Sequence, residues 1–436
     1  MLKPSRWLYV SSMVAAASLV VAVVFAPQLN SSAQAAGNTK FKFTGAGSCS
    51  AAKCHGSASA KRSGATLTNE YTVWASKDSH NGAFKLLHDK DAKIILKAYD
   101  GGTDPSKSDK CLTCHTTGDA NRYNMGLDYV AYKDKSLQGP KFDIEGGVSC
   151  ESCHGPAEKW VEDHAKKGWT DQMRAKHKNG KALFAATGLW DTKQIMMRAN
   201  NCVSCHLRIE SKMVEAGHPT LGFELAYYSN EMPPHWKDKD DWFTVTAWVA
   251  GQAATLRESL NQLDDYAGSG ADGELIAEAA DRARTHALLL RHGLASAADT
   301  LSKLAADISA AGEDKGKLSA TAKAGAAKIA GWADTINGMN FDEDKTLALA
   351  QKLFGDESIA DIGYDAFEQQ YNSIDSIYGT FADAAENASD DGLDAVDGVL
   401  EQIEEDVLDA DDYTDEEKAI AKKLIQALSK AGKSLK

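Results

Sequence analysis

Proline is scarce in this chain, eight residues in 436, and none follows Pro234. Nothing therefore blocks long helices in the second half. Long apolar runs are nearly absent as well: only Leu8 to Phe25 is long enough to span a bilayer, so no further span is expected. The chain has no Gly-rich phosphate loop, no nucleophile elbow and no H-E-x-x-H helix, which removes the commonest nucleotide-binding, hydrolase and zinc-protease readings. Lys and Arg number 48 against 62 Asp and Glu, a formal charge of −14, and so acidic a chain is poorly suited to nucleic acid. After residue 250 histidine dwindles to His286 and His292, out of twelve in all, and cysteine disappears.

What is present is concentrated. All eight cysteines fall in four Cys–Cys–His units: Cys49-Ser-Ala-Ala-Lys-Cys54-His55, Cys111-Leu-Thr-Cys114-His115, Cys150-Glu-Ser-Cys153-His154 and Cys202-Val-Ser-Cys205-His206. C-x-x-C-H is the attachment signature of c-type haem: two thiols form thioethers with the vinyl groups, and the next histidine becomes the proximal iron ligand. Zinc would not demand a histidine after each pair, and a thioredoxin-like site would need one pair, not four. The first unit has four residues between its thiols, a rarer form whose alternative is a disulfide beside an idle His55. The expected cofactor is four covalently bound haem c groups with their iron.

Haem of this type is attached after export, and the N-terminus agrees. Lys3 and Arg6 precede the apolar stretch, Pro27 breaks it, and Ala33-Gln34-Ala35 follows polar Asn30, Ser31 and Ser32. Residues 1–35 read as a secretory signal peptide and point to the periplasm; uncleaved, the same segment would tie the chain to a membrane. Charge divides the remainder. Residues 37–250 carry 29 Lys and Arg against 25 Asp and Glu, whereas 251–436 carry 17 against 37. A haem domain over 36–245 and an acidic domain over 246–436 are expected.

The haem domain should have little regular structure, with short helices at 70–99, 157–167 and 207–216 and turns at Gly101-Gly102, Gly139-Pro140 and Gly146-Gly147. In the acidic half, apolar residues recur at helical spacing. They predict one helix through Ala247, Ala254 and Leu263, a long one from Leu275 to Ile308, and others at 317–336, 343–354, 360–388, 391–408 and 413–432. Asp412, Tyr413 and Thr414 before Asp415-Glu416-Glu417 mark a helix start. The fold class is mainly α: a multihaem domain plus an antiparallel helical bundle.

A six-coordinate iron needs a second axial ligand. His80, His88, His164, His177, His218 and His235 are six candidates for at most four positions. His177, in the run Arg174-Ala-Lys-His-Lys178, reads as a solvated surface residue. His286 and His292 read as polar positions on a helix.

Several segments resemble the cytochrome c554 family. They are Trp74 to Phe84 around His80, Gly147-Val-Ser-Cys150-Glu-Ser-Cys153-His154-Gly-Pro156 followed by Asp163-His164, and Asn201-Cys202-Val-Ser-Cys205-His206. Ala216-Gly-His218-Pro219, Phe223-Glu224-Leu225 and Met232-Pro-Pro-His235-Trp236 extend the likeness, which covers roughly 46–250 and is weaker around Cys111. The resemblance implies that His164 sits opposite His55 on the first haem and His80 opposite His206 on the fourth. It also implies that the third haem, on His154, takes its distal ligand from the segment after the fourth unit, with His218 the choice. The second haem, on His115, is five-coordinate in that family. Here His235 is an extra histidine and the candidate for that position, while His88 could substitute for His80.

Two functions follow. The first is an electron carrier between redox proteins, with a multihaem oxidoreductase or a quinone-linked membrane cytochrome as partner and the acidic domain as a docking face or an anchor in a larger complex. The second is an enzyme acting on nitric oxide, nitrite or hydroxylamine at an open His115 iron, with Arg122, Tyr123 and Tyr129 supplying hydrogen bonds. The carrier is the better supported of the two.

Overall fold

A computed structural model describes residues 40–61, 66–123, 125, 127–177, 179–233, 241–410 and 413–435. The segment read as a signal peptide, residue 235 and residue 412 lie outside the described residues. The fold is mainly α. Among the described residues extended pairing is limited to single bridges, Phe43 with Gln138 and Asp119 with Val130.

The first half is a succession of short helices: Glu70–Lys77 (α1), Lys90–Asp100 (α2), Asp109–His115 (α3), Cys150–His154 (α4), Trp169–Lys176 (α5), Gly180–Thr187 (α6), Ile195–His206 (α7), Ser211–Glu215 (α8) and Leu225–Glu231 (α9). The helix expected over 70–99 is broken in two places. Asp78 is extended at ψ 123, and its carboxylate accepts from the His80 N–H, starting a tight 3-10 stretch over Ser79–His88. Asp89 is extended in the same way before α2. The helix expected over 157–167 shrinks to a 3-10 turn, Asp163–Ala165, and that over 207–216 to α8.

The second half holds Phe243–Ser269 (α10), Gly273–Gly293 (α11), Ala298–Ala311 (α12), Lys315–Ala330 (α13), Ala333–Asn337 (α14), Glu343–Phe354 (α15), Tyr364–Ala384 (α16), Asp390–Ile403 (α17) and Asp415–Ala431 (α18). Acidic and hydroxyl residues start them. Asp272, Asp314, Asp342 and Ser389 each accept a backbone N–H at a helix start. Thr414 and Glu417 form a reciprocal capping box at α18. Connections of a few residues between helices that pack together make them antiparallel neighbours, as in α10 with α11 and α17 with α18.

The single helix expected from Leu275 to Ile308 is two. α11 ends at Gly293, where an added Cβ would stand 2.8 Å from both Trp248 and Val249 of α10. The chain then leaves helical geometry at Leu294 (φ −116, ψ 71), and α12 turns back onto α11. The helix expected over 317–336 likewise divides at Gly331 into α13 and α14.

The largest hydrophobic core surrounds α10, whose Trp248, Leu256, Leu260 and Leu263 are fully buried. This core does not stop where the charge changes. Ile195, Met196, Ala199 and Val203 of α7, the helix that ends in the fourth Cys–Cys–His unit, belong to it. Polar contacts follow the same seam. Met196 N–H donates to Asn337 Oδ1 (3.0 Å), Gln262 Nε2 to the Leu207 carbonyl (3.1 Å), and the Tyr266 hydroxyl to the Ile209 carbonyl (2.8 Å). Arg208 pairs with Asp265 at 2.6 Å. Elsewhere in the first half the apolar clusters are small and separate, the largest around Tyr123, Phe184 and Trp190.

A shared core predicts shared stability. Trp248→Ala should cost about 3–5 kcal/mol through the cavity it leaves. Unfolding followed by far-ultraviolet circular dichroism, which sees the helices of the bundle, and by haem absorption should shift together. A haem transition that stays at its wild-type position would show that α7 does not depend on the bundle.

Candidate functional site

Helical geometry explains the order of residues in each unit. On α3, α4 and the end of α7 the two cysteines lie three residues apart on one face, and the histidine follows one turn after the first cysteine. The first unit is different. Cys49 closes a 3-10 turn over Ala46–Ser48, and Cys54 and Gly56 both donate backbone N–H groups to the Ala51 carbonyl. That loop takes up its two extra residues. None of the eight thiols is in a disulfide.

The units converge through their thiols. Cys150 beside it holds Cys49 below the usual thiol range, and the same neighbour effect, with burial, pushes Cys150 well above it. Cys114 and Cys205 do the same, with Cys205 held down and Cys114 raised. Burial raises Cys202 to about 12. Two adjoining pairs result, first with third and second with fourth. Chain folding supports the first pair. Glu151 inside the third unit is buried, and its carboxylate accepts N–H bonds from Thr44 (2.8 Å), Gly45 (2.7 Å) and Ala157 (2.7 Å). Burial raises its pKa against those bonds. Behind the third unit the backbone passes so close to α6 that a Cβ on Gly155 (φ 79) would stand 2.1 Å from the Gly188 carbonyl oxygen.

Histidines meet in pairs. His55 and His164 rings are neighbours, with centroids 6.0 Å apart and planes 7° from parallel. His80 and His206 lie 5.8 Å apart at 78°. A metal–imidazole bond is about 2 Å, and the ring nitrogen lies about 1 Å from the ring centre, so two imidazoles on opposite faces of one iron have centres about 6 Å apart. Both pairs therefore suit an axial couple. Either mutual angle is acceptable, because each ring turns about its own bond to the metal. Among the described residues no group of three or more His, Cys, Asp or Glu is disposed around one point, as a protein-held zinc ion would need.

In three of these four rings, and in His115 and His218, Nδ1 is occupied. His55 Nδ1 meets Glu70 Oε2 at 3.0 Å, and His80 Nδ1 meets Asp78 Oδ1 at 2.9 Å. His164 Nδ1 meets the Val161 carbonyl at 2.8 Å, His115 Nδ1 the Ala83 carbonyl at 2.8 Å, and His218 Nδ1 the Pro219 carbonyl at 2.9 Å. Each bond fixes the tautomer and leaves Nε2 as the nitrogen without the proton. Glu70 raises the pKa of His55. Burial, with His80 and Arg122 nearby, lowers His206 to about 4, so it is neutral at ordinary pH, as a ligand must be.

The remaining candidates are placed as follows. His154 receives the Trp190 N–H on its backbone carbonyl (2.8 Å). His218 follows α8 in a segment packed on α2 and the second unit: Glu210 contacts Tyr99 and Lys110, and Gly217 lies against Ile95. His235 lies outside the described residues. His88 is exposed with its ring against Phe84, and His177 is half-buried at the end of α5. His286 is buried against Gln252 Oε1 (2.7 Å), and His292 Nε2 meets Asp356 (2.7 Å). Tyr123 and Tyr129 do not serve His115. The Tyr123 hydroxyl donates to the Glu151 carbonyl, and the Tyr129 hydroxyl accepts from Phe41 N–H. Arg122 turns to the fourth unit, its Nη2 3.2 Å from Cys205 Sγ.

The chain was compared with known proteins by family model, by sequence and by structure. The family described as cytochrome c554 and c-prime matches residues 48–155, which hold the first three units. Cytochrome c-554 of Nitrosomonas europaea is 29% identical over 138 residues, 32% of this chain and 48% of the relative. The chain thus spans about half the length of the curated relative it matches. No solved structure matches. Over the matched segment the chain is similar to c-type cytochromes. Over residues 48–155 the chain resembles the cytochrome c554 family.

Sequence reading missed Glu224. This side chain is 2% exposed and caps α9, accepting N–H bonds from Ala226 and Tyr227. Phe223 and Tyr228 on either side of it pack against the His206 ring at 5.6 and 5.4 Å. Burial raises the Glu224 carboxyl to about 7, against those bonds. A raised carboxyl favours the folded state fully below its unfolded pKa of about 4.5 and loses that contribution as pH rises through about 7. Glu224→Gln should remove this dependence. Relative to the variant, the wild type should lose on the order of 3 kcal/mol between pH 4.5 and 8 in denaturant unfolding. Parallel pH profiles would mean that Glu224 is ionised throughout.

Proposed function

We propose that this chain is an exported tetrahaem electron carrier, with haem c at all four Cys–Cys–His units. The carrying observation is the pair of neighbouring histidine couples, His55 with His164 and His80 with His206, at the spacing of axial ligands. In this reading His55, His115, His154 and His206 are proximal ligands, and His164 and His80 are distal on the first and fourth sites. Cys49, Cys54, Cys111, Cys114, Cys150, Cys153, Cys202 and Cys205 are the attachment points. When bound, the haems supply a one-electron couple poised by axial ligand, burial and nearby charge.

The residues' part is to hold position. A carboxylate or carbonyl on Nδ1 of His55, His80, His115 and His164 fixes the imidazole plane and strengthens Nε2 as a donor. Two such rings hold an iron in similar geometry in both oxidation states. Adjoining attachment pairs, first with third and second with fourth, support short steps between sites. We read residues 36–245 as the haem-bearing part and 246–436 as a brace for its fourth site. The acidic surface of the brace is suited to steering a basic redox partner, of the class of a multihaem oxidoreductase or a quinone-linked membrane cytochrome. Export to the periplasm rests on the N-terminal sequence and on the chemistry of haem attachment.

The competing reading is catalysis on a small nitrogen compound at an open His115 iron. It loses Tyr123 and Tyr129, whose hydroxyls are engaged with backbone. The segment beside the second unit also offers His218 to that iron as well as to the His154 iron, and His235 remains a candidate there.

The tests are spectroscopic. His80→Ala and His164→Ala should each retain four haems by mass and show one new high-spin signal in electron paramagnetic resonance. An unchanged spin state in both would overturn the ligand assignment. In the wild type, four low-spin haems that ignore nitric oxide would favour the carrier. One high-spin haem that binds nitric oxide would favour the enzyme, and His218→Ala would then report whether His218 closes a different iron.

A further inference from the structure

One face of α2 is spent on the fold: Leu96 is buried, and Ile95 lies against Gly217. Positions 90, 93, 94 and 97 follow one another at i, i+3, i+4 and i+7 and share the opposite face. They are Lys90, Lys93, Ile94 and Lys97, all exposed. Ile94 is 52% exposed, and Leu86, in the 3-10 stretch leading into α2, is 54%; among the described residues no large apolar side chain is more open. Single apolar residues at a surface are ordinary, but apolar contact rimmed by unpaired charge of one sign is the anatomy of an interface. The three lysines are unpaired. None meets a carboxylate among the described residues, although nearby Lys107 and Lys110 pair with Asp104 and Glu210. Asp89 and Asp91 stand off the stripe, and Asp100 at the helix end accepts the Gly102 N–H (2.8 Å).

Behind this face is the second attachment unit. Phe84 and Leu87, in the same 3-10 stretch as Leu86, are buried with Leu112 of α3, and Cys111 packs against them. The Ala83 carbonyl of that stretch holds His115 Nδ1 at 2.8 Å. A helix with its side chains is about 10 Å across, so a protein seated on the stripe stands about one helix from that unit. Charge selects the partner. Residues 251–436 carry 17 Lys and Arg against 37 Asp and Glu, and residues 37–250 carry 29 against 25. An acidic protein is repelled by the bundle, turned toward the first half and held by the lysines within the ~8 Å reach of a surface charge at physiological salt. A lipid surface fits less well: α2 keeps Leu96 and Ile95 inside the fold, and two exposed side chains are too few to bury a helix face in headgroups.

We propose that Lys90, Lys93 and Lys97, with Leu86 and Ile94 beside them, form the docking face for an acidic redox protein next to the second attachment unit. That partner presents carboxylates around an apolar contact and is distinct from the basic partner that the bundle steers. The two meet the chain on faces of opposite sign and need not displace one another. The proposal rests on the carrier reading, which haem content by mass and reduction by dithionite check separately.

The test uses the whole protein, with flavodoxin, an acidic one-electron donor, as the probe. Carbodiimide, which joins a lysine to a carboxylate it touches, should cross-link flavodoxin to Lys90, Lys93 or Lys97, located by peptide mass mapping. Cross-links confined to other lysines would overturn the proposal. In stopped flow at low ionic strength, the triple change Lys90→Glu, Lys93→Glu and Lys97→Glu should slow reduction by flavodoxin tenfold or more, and the difference should vanish in high salt. The same three positions changed to Gln, which removes charge without reversing it, should give an intermediate rate. Oxidation of the reduced protein by mitochondrial cytochrome c, a basic acceptor, should not slow. An unchanged rate with flavodoxin in the Glu variant, or an equal fall with both probes, would overturn the proposal. So would binding of the wild type, but not the Glu variant, to phosphatidylglycerol vesicles, which would make the stripe a membrane contact. Cross-linking needs no haem, so a chain lacking haem would defeat the carrier reading while the cross-link map still decides the docking face.

Discussion

Two imidazole rings about 6 Å apart do not hold one another in place. Their mutual attraction at that separation is small, and each ring is free to rotate about its own side-chain bonds. What fixes them is the hydrogen bond on the far nitrogen: Glu70 behind His55, Asp78 behind His80, the Val161 carbonyl behind His164. Much of the irregular first half is scaffolding for these bonds. Asp78 must leave helical geometry to hold His80. Glu70 opens α1 and also accepts the Leu67 N–H, so the end of one loop and the start of one helix are fixed by a single carboxylate. The region has little regular structure because its backbone is spent on orienting rings.

The same demand explains the division of apolar material. Among the described residues the first half has small, separate apolar clusters in place of one core. The acidic half supplies the large core instead, and α7 is where the two meet. One face of α7 enters the bundle while its end presents Cys202, Cys205 and His206. The bundle is thus joined to the fourth site through packing, Gln262, Tyr266 and Arg208, not through a flexible linker. It also brings a strongly negative field close to that site.

Much of this was legible in the sequence, for chemical reasons. Attachment needs contiguous residues, so the eight cysteines and four proximal histidines are a local pattern. Helix-forming segments of the bundle were readable because their apolar period runs unbroken by proline and acidic residues mark their starts. The histidine couples were not readable from spacing: six candidates stood open, and only resemblance to relatives chose among them. Glu70, Asp78 and Glu151 carry no signal singly, since a carboxylate in a loop is ordinarily solvated. The break at Gly293 was hidden for a related reason. A glycine within a helical pattern is tolerated, and only the pressure of Trp248 from another helix makes it a terminus.

Which nitrogen each ring uses supplies a criterion that the sequence could not. His55, His80, His115, His164 and His218 all give Nδ1 to a local acceptor and keep Nε2 outward. His292 does the reverse, engaging Asp356 through Nε2, and His286 is enclosed among bundle side chains with Gln252. Burial and Arg282 lower His286 to about 3, so it stays neutral as a structural group. By this measure His218 has the second-sphere bond typical of an iron ligand, and the bundle histidines do not. Its position after Gly217, at φ 102 and against Ile95, places that free nitrogen in a loop beside the second unit. The segment that carries His218 beside the second unit is thus shaped by a backbone glycine, not by the rigid helices that carry the attachment points.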